Sequence, residues 1–190
     1  QLIDTINALI RKDKPKYLNK LFNLYFEDAP TIENGFRNFD YEKVVAMVAF
    51  FARREKNLFK TKLMKLLHYA DMVYFKENTN SISGLKYIHL PYGPVPKQFE
   101  MLLEKLVSDG ILHIDVEEQK GYERHKIILD VDAYDNVLTP EEEKVLERVY
   151  EKFKGFGSVE ISKYSHCELG YLNTKQGEAI SYEYALDMTF

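Results

Sequence analysis

The sequence contains no tryptophan and a single cysteine among its 190 residues. One cysteine excludes an internal disulfide and is compatible with a reducing compartment. No apolar run approaches the roughly 18 residues that a membrane-spanning helix requires. The chain also lacks a P-loop, a GxGxxG fingerprint and a GxSxG nucleophile elbow. We therefore expect a cytoplasmic protein that is not an enzyme and that holds no cofactor.

Charge of either sign is moderate, but it is unevenly distributed. The net charge is −4, with 20 basic and 17 acidic side chains in residues 1–126 against 6 and 13 in residues 127–190. An acidic C-terminal third argues against a nucleic-acid footprint there. It suits a basic protein partner, because complementary charge speeds encounter. The simpler explanation is a solvated acidic surface on helices.

Hydrophobic periodicity predicts a mainly helical α+β domain with one small antiparallel sheet. Residues 41–190 are expected to form the main domain, and residues 1–40 a helical extension or linker. Thr139, Pro140 and Glu142 form a strong helix start, with a capping box and a proline at the first helical position. The expected helices cover residues 1–11, 15–27, 41–54, 60–76, 96–108, 140–154, 158–166 and 181–187.

A helix ending near Gly110, followed by strands at residues 112–117 and 122–129, resembles the second half of a winged helix. Groove-reading helices need basic and amide side chains. Here the exposed helix positions carry a nearly neutral set without arginine: Lys97, Gln98, Glu100, Glu104, Lys105 and Asp109. We expect a winged-helix-like architecture without direct binding of nucleic acid by this part of the chain.

Histidine and cysteine do not form a recognisable metal or catalytic motif. His68 and Asp71 lie three residues apart on a predicted helix, and His166 adjoins Cys167, but neither pair has the ligand spacing of a zinc site. Ser165, His166 and Cys167 are adjacent in sequence, so on a helix their side chains point in different directions and cannot form a relay. No metal site is expected, and nucleophilic catalysis is unsupported.

The segment Pro91–Pro96, which we call the proline elbow, is the most unusual part of the chain. It holds three of the six prolines together with Gly93, directly after a short predicted strand. Each proline fixes φ and removes a backbone donor, so the segment is stiff. Rigid aromatic side chains lose little entropy on binding, which favours Tyr87, His89 and Tyr92 as partner contacts. The alternative is a crossover that seals the core, in which Tyr87, Leu90 and Tyr92 simply pack.

Three lysines, Lys60, Lys62 and Lys65, form a basic cluster at the predicted start of the preceding helix. Cations at a helix N-terminus oppose the helix dipole. One possibility is an exposed contact with an acidic partner or a phosphate. The commoner case is an ordinary solvated face, or pairing with the acidic C-terminal third of the chain.

Four sequence elements in order resemble the Panacea (SocA-like) family over roughly residues 41–187. They are TKLMKLLHYAD at residues 61–71, ISGLKY with GPVP at residues 82–96, LTPEE at residues 138–142 and the pair Ser165–His166. Family members often carry a tryptophan soon after this histidine. The present chain has none, and Tyr171 is expected to occupy that place.

The resemblance implies an antitoxin that binds a cognate toxin protein directly and blocks its active surface. Relatives pair with unrelated toxins, so the identity of the toxin does not carry over. Two alternatives stay open: a protease adaptor for a toxin, and a transcriptional regulator whose DNA-binding segment lies upstream of Gln1. A homo-oligomer is also open. The expected partner contacts are Lys65, Tyr87, His89, Tyr92 and His166.

Overall fold

The computed structural model describes residues 18–26, 28–119, 121–131 and 136–190. The helix expected over residues 1–11 lies outside the described residues, as do residues 15–17 and 27 of the next expected helix. The division of the chain near residue 40 stays a prediction. Among the described residues, no helix is both long enough and apolar enough to cross a membrane.

The fold is α+β and mainly helical, as the periodicity predicts. A helix α1 covers residues 18–26. The remaining elements are α2 (Tyr41–Arg54), α3 (Lys60–Asn78), β1 (Tyr87–Leu90), β2 (Gly93–Pro96), α4 (Phe99–Ser108), β3 (Leu112–Gln119), β4 (Tyr122–Leu129), α5 (Pro140–Phe153), α6 (Ser158–Ser165), α7 (Leu169–Leu172) and β5 (Ala179–Ile180). Short 3-10 helices cover Ile32–Asn34 and Tyr182–Asp187.

Helix α3 runs through the centre of the protein. Every residue from Lys62 to Phe75 is buried, because α2, α5, α6 and β2 all pack against it. A helix that is buried on all sides loses the usual division into an apolar and a solvated face. Polar side chains on α3 therefore lie inside the protein and need internal partners.

The helices flanking α3 begin where local sequence signals place them. Asp40 caps α2 by accepting a hydrogen bond from the amide of Lys43, and Thr139 with Glu142 forms the capping box of α5. Glu142 is almost fully buried and also accepts a hydrogen bond from Lys43 Nζ at 2.5 Å. The same carboxylate thus caps α5 and joins it to α2.

The strands of the described residues form two sheets, not the single sheet that the sequence predicts. One is the expected hairpin of β3 and β4, and the other has the order β2-β1-β5. The expectation that Pro96 opens a helix is wrong: Pro96 lies in β2 opposite Tyr87, and α4 begins only after Gln98. An edge strand such as β2 accepts proline, because an N–H that faces away from the neighbouring strand is not needed.

Candidate functional site

The proline elbow is attached to the core through Asp71, a fully buried residue of α3. Asp71 Oδ1 accepts hydrogen bonds from the backbone amides of Ile82 and Ser83, both at 2.9 Å. Its Oδ2 accepts from the hydroxyl of Ser83 and, at 2.7 Å, from that of Tyr87. Four donors on one carboxylate fix the segment that leads into β1.

Burial sets the protonation of this network. Loss of solvent raises the pKa of the Asp71 carboxyl above its ordinary value, and the hydrogen bonds from Ser83, Tyr87 and Ile82 counteract part of that rise. Burial, together with the nearby Asp71 carboxylate, raises the pKa of Tyr87 well above its ordinary value. Tyr87 therefore remains a hydroxyl donor at any physiological pH.

Lys65 of α3 contacts the elbow from the protein interior. Its side chain is fully buried, and Nζ donates a hydrogen bond to Pro94 O at 2.8 Å. In the hairpin, Leu90 lies opposite Gly93 across a two-residue turn. Hydrogen-bonded and non-hydrogen-bonded pairs alternate in an antiparallel ladder. The pair of His89 and Pro94 is of the second kind, so the Pro94 carbonyl faces away from β1 and can accept from Lys65. Burial lowers the pKa of Lys65 to about 7.

The close approach of the elbow to Lys65 requires a glycine at position 93. Its φ is +100°, and an added Cβ would lie 2.7 Å from Lys65 Cε and would overlap Ser165 Oγ. Only glycine combines this backbone conformation with such a close approach. The glycine of the GPVP motif therefore lets the elbow rest directly on α3 and α6.

Beside the elbow, Tyr171 of α7 stacks between two histidines. The ring centroids of Tyr171 and His89 are 3.7 Å apart at an interplanar angle of 21°, and those of Tyr171 and His166 are 4.3 Å apart at 13°. Two nearly parallel rings this close to one ring centre would overlap if they shared a face, so they lie on opposite faces. The Tyr171 hydroxyl also lies 3.3 Å from Leu90 O.

His166 and His68 each carry a buried ring nitrogen, Nε2 and Nδ1 respectively, without a hydrogen-bond partner among the described residues. Burial lowers the pKa of His166, and electrostatic interactions with Lys65 and His89 lower it further. Burial, with a contribution from Lys65, lowers the pKa of His68 to about 3. Both imidazoles are therefore neutral near pH 7, which limits the positive charge beneath the elbow.

Tyr92 projects from the tip of the hairpin with 75% of its surface exposed. Leu169 and Leu172, on the helix that carries Tyr171, are exposed as well. We call the surface formed by His89, Tyr92, His166 and Tyr171 the elbow face. This surface is aromatic. Exposed apolar side chains lie beside it on the hairpin, which carries Tyr92, and on α7, which carries Leu169 and Leu172.

The structure separates the expected contact residues into two groups. His89 and His166 are half-buried and Tyr92 is exposed, and these three share the elbow face. Lys65 and Tyr87 are fully buried, so any effect of theirs on a partner is indirect. The contribution of these five residues to partner binding stays a prediction.

The expected solvated lysine cluster is wrong for two of its three members. Lys62 and Lys65 are buried on α3, and Lys62 pairs with Glu55, while Lys60 pairs with Glu100. The pattern alone suggested a polar face, but α3 has no solvent side over this stretch.

Sequence reasoning missed the roles of Asp71, Ser83 and Tyr171. The available signal was an acid inside the mostly apolar stretch from Leu66 to Phe75 of a helix, because a buried carboxylate needs several donors. Among the described residues, no group of three or more His, Cys, Asp or Glu side chains is arranged to hold a metal ion.

Comparison with known protein families gives a match to this chain. Residues 63–169 match the family described as the antitoxin SocA-like, Panacea domain. This range is more than half of the chain and includes most of α3, both hairpins, α5 and α6. Neither a curated protein nor a solved structure matches the chain. The chain belongs to the SocA-like antitoxin family defined by the Panacea domain.

Proposed function

We propose that this protein is an antitoxin that neutralises a cognate toxin by direct, stoichiometric binding, and that the elbow face is the contact surface. The observation that carries the proposal is the position of Tyr92, an exposed aromatic side chain on a hairpin whose base is fixed by buried polar contacts. Membership of an antitoxin-like family makes a toxin the expected partner.

Rigidity is the physical reason for choosing this surface. Binding costs free energy for each side chain and loop that must be ordered, and the elbow is already ordered by Asp71, Lys65 and its prolines. Exposed aromatic anchors on such a support are typical of the residues that dominate interface energetics. The mechanism is steric: Tyr92 and its neighbours cover the toxin surface, and the domain performs no chemistry.

Charge supplies the second part of the proposal. The last third of the chain is acidic, so it attracts a basic toxin and accelerates encounter without adding much affinity. Such steering depends on ionic strength, because salt screens exposed charges beyond about 10 Å at 0.1 M. The association rate should therefore fall with added salt much more than the dissociation rate changes.

The test is co-expression with the toxin encoded beside this gene, followed by measurement of growth rescue, co-purification and toxin level. Tyr92→Ala should lose binding by tenfold or more, as expected for an anchor on the order of 1.4 kcal/mol or above. Tyr122→Ala is the matched control, since Tyr122 is equally exposed (76%) but lies at the tip of the other hairpin. It should bind normally.

Two results would contradict the proposal. If Tyr92→Ala and Tyr122→Ala bind the toxin equally well, the elbow face is not the contact surface. If toxin abundance falls in the presence of this chain only when a cellular protease is active, the chain acts as an adaptor for proteolysis and steric neutralisation is wrong.

A further inference from the structure

The second hairpin has a free edge. Among the described residues, β3 pairs with β4 alone. The outer side of β4 is partly occupied, because the amide of Ile127 donates a hydrogen bond to Leu58 O at 2.8 Å. No described strand lies along the outer side of β3, and its side chains from Asp115 to Glu118 are exposed. A strand edge of this kind is a template for pairing with another chain.

The orientation of the backbone groups of β3 follows from the register. Ile127, whose amide faces Leu58, lies opposite Ile114. Residues in an antiparallel ladder alternate between pairs that exchange hydrogen bonds and pairs that do not. Ile114 therefore belongs to a pair without exchange, and its N–H and C=O groups point away from β4. The same holds for Val116 and Glu118, two and four residues further along the strand.

These outward groups have no hydrogen-bond partner among the described residues. Val116 at the centre of the edge is 60% exposed. The outward groups belong to three alternate residues, which span five residues of β3. Paired strands advance equally, by about 3.3 Å per residue, so an incoming strand of five or six residues can use all three. Docking by strand addition uses this kind of edge, with main-chain hydrogen bonds for affinity and side chains for selectivity.

Charge indicates which kind of strand fits. The exposed side chains of β3 include Asp115, Glu117 and Glu118. On the occupied side, β4 places Lys126 opposite Asp115 and Arg124 opposite Glu117. Opposite charges on facing positions stabilise a strand pair and like charges destabilise it. A second copy of β3 would bring acidic side chains against acidic side chains, so a basic strand fits the edge and self-pairing does not.

We propose that the outer edge of β3 is a second docking site, which binds an extended segment of a protein partner that carries lysine or arginine at alternate positions. The incoming strand completes a three-stranded sheet, with β3 between it and β4. This site is separate from the elbow face, so it does not depend on toxin binding there.

The probe is a ten-residue peptide of alternating lysine and valine, titrated into the full chain at low salt. Amide hydrogen exchange should slow at Ile114, Val116 and Glu118. It should change little at Asp115 and Glu117, whose amides already donate to β4. A peptide of alternating glutamate and valine should not bind. Neutralising Asp115 or Glu117 to the amide should weaken binding about two- to fivefold each, the range of exposed ion pairs. Glu118 lies on the opposite face of the strand from these two residues, so Glu118→Gln should change the affinity for this peptide little.

Val116→Pro is the most specific variant. It removes an N–H that faces solvent and leaves the ladder to β4 intact, so the protein should fold, while peptide affinity falls about tenfold through one lost hydrogen bond and a steric block. Val116→Thr keeps the donor and a β-branched side chain, and it should bind normally. If Val116→Pro fails to fold, a peptide with N-methyl groups on alternate residues tests the same hydrogen bonds on the native protein.

The proposal is wrong if Val116→Pro or the N-methylated peptide binds as tightly as its unmodified counterpart, or if the acidic peptide binds equally well. It is also wrong if the outward amides become protected with rising protein concentration and no peptide, because the edge would then pair with a second copy. None of these outcomes bears on the elbow face, where Tyr92→Ala remains the test.

Discussion

The two hairpins of this protein are stabilised in opposite ways. Strands β1 and β2 have four residues each and are mostly buried, and their positions are set by Asp71, Lys65 and contact with α3. Strands β3 and β4 have eight residues each and are joined by a continuous ladder, with few buried side chains away from their base. A short hairpin is unstable by itself and depends on tertiary contacts, whereas a long ladder supplies more of its own support.

Because of this difference, the two regions suit different kinds of binding. The first hairpin cannot move without breaking buried hydrogen bonds, so it presents Tyr92 in one position. The second hairpin leaves a row of backbone groups unused and its charges in solvent. One region is therefore suited to rigid shape recognition, and the other to pairing with a flexible segment that orders on binding.

The largest expected effect is that of Asp71→Ala. The change leaves the amides of Ile82 and Ser83 and the hydroxyls of Ser83 and Tyr87 without their acceptor. Buried donors without partners should lower the free energy of unfolding by about 3–5 kcal/mol in urea denaturation. Tyr87→Phe removes one donor only and should cost about 1 kcal/mol. Equal effects of the two substitutions would show that the network does not hold the elbow.

A somewhat smaller effect should appear in the pH dependence of Lys65. Burial lowers its pKa to about 7, whereas in the unfolded chain the ordinary value is about 10.4. The unfolded state therefore binds more protons in the window between these values, and stability rises with pH there. Relative to Lys65→Met, the wild-type protein should gain about 1 kcal/mol per pH unit between pH 7.5 and 9.5.

Unfolding curves at several pH values measure this difference directly. Lys144→Met is the control, because Lys144 is exposed on α5 and loses no solvent on folding that would make its contribution to stability depend on pH. A flat difference between wild type and Lys65→Met across this window would mean that Lys65 is not desolvated beneath the elbow.

The smallest effect is expected on the second hairpin. Glu117 Oε1 lies 3.8 Å from Lys126 Nζ across the ladder, and both side chains are partly solvated. Exposed ion pairs contribute about 0.2–1 kcal/mol, so Glu117→Gln should change the midpoint of urea unfolding only slightly. A loss comparable to that of Asp71→Ala would show that β3 and β4 depend on side-chain pairing as much as β1 and β2 depend on buried contacts.

Elements with local signals were predicted well. Asp40 at the start of α2 and the capping box at the start of α5 are readable because the residues that satisfy the first amides lie within one turn. The helix, Gly110 and the following hairpin were also predictable, since period-two patterning and a turn glycine are short-range features. The exposed position of Tyr92 is one of the two alternatives that the sequence left open, and the structure decides it.

The other sheet and the lysines on α3 could not be predicted in the same way. Strand β5 consists of Ala179 and Ile180 alone, and its partner Tyr87 lies more than ninety residues earlier. Two residues carry no periodicity. The sequence of α3 alone predicts that Lys62 and Lys65 are solvated, because the elements that enclose them come from other parts of the chain.

The sequence by itself determined where most helices begin, which segment is stiffened by proline, and the family to which the chain belongs. Local hydrogen bonding and backbone restriction act over a few residues, so they can be predicted from residues that are adjacent in the sequence. Only the tertiary structure decided that Lys65 and Tyr87 are buried supports, that Tyr171 joins His89 to His166, and that β3 keeps a free edge. Burial and pairing depend on which distant segments meet, and that is a property of the whole fold.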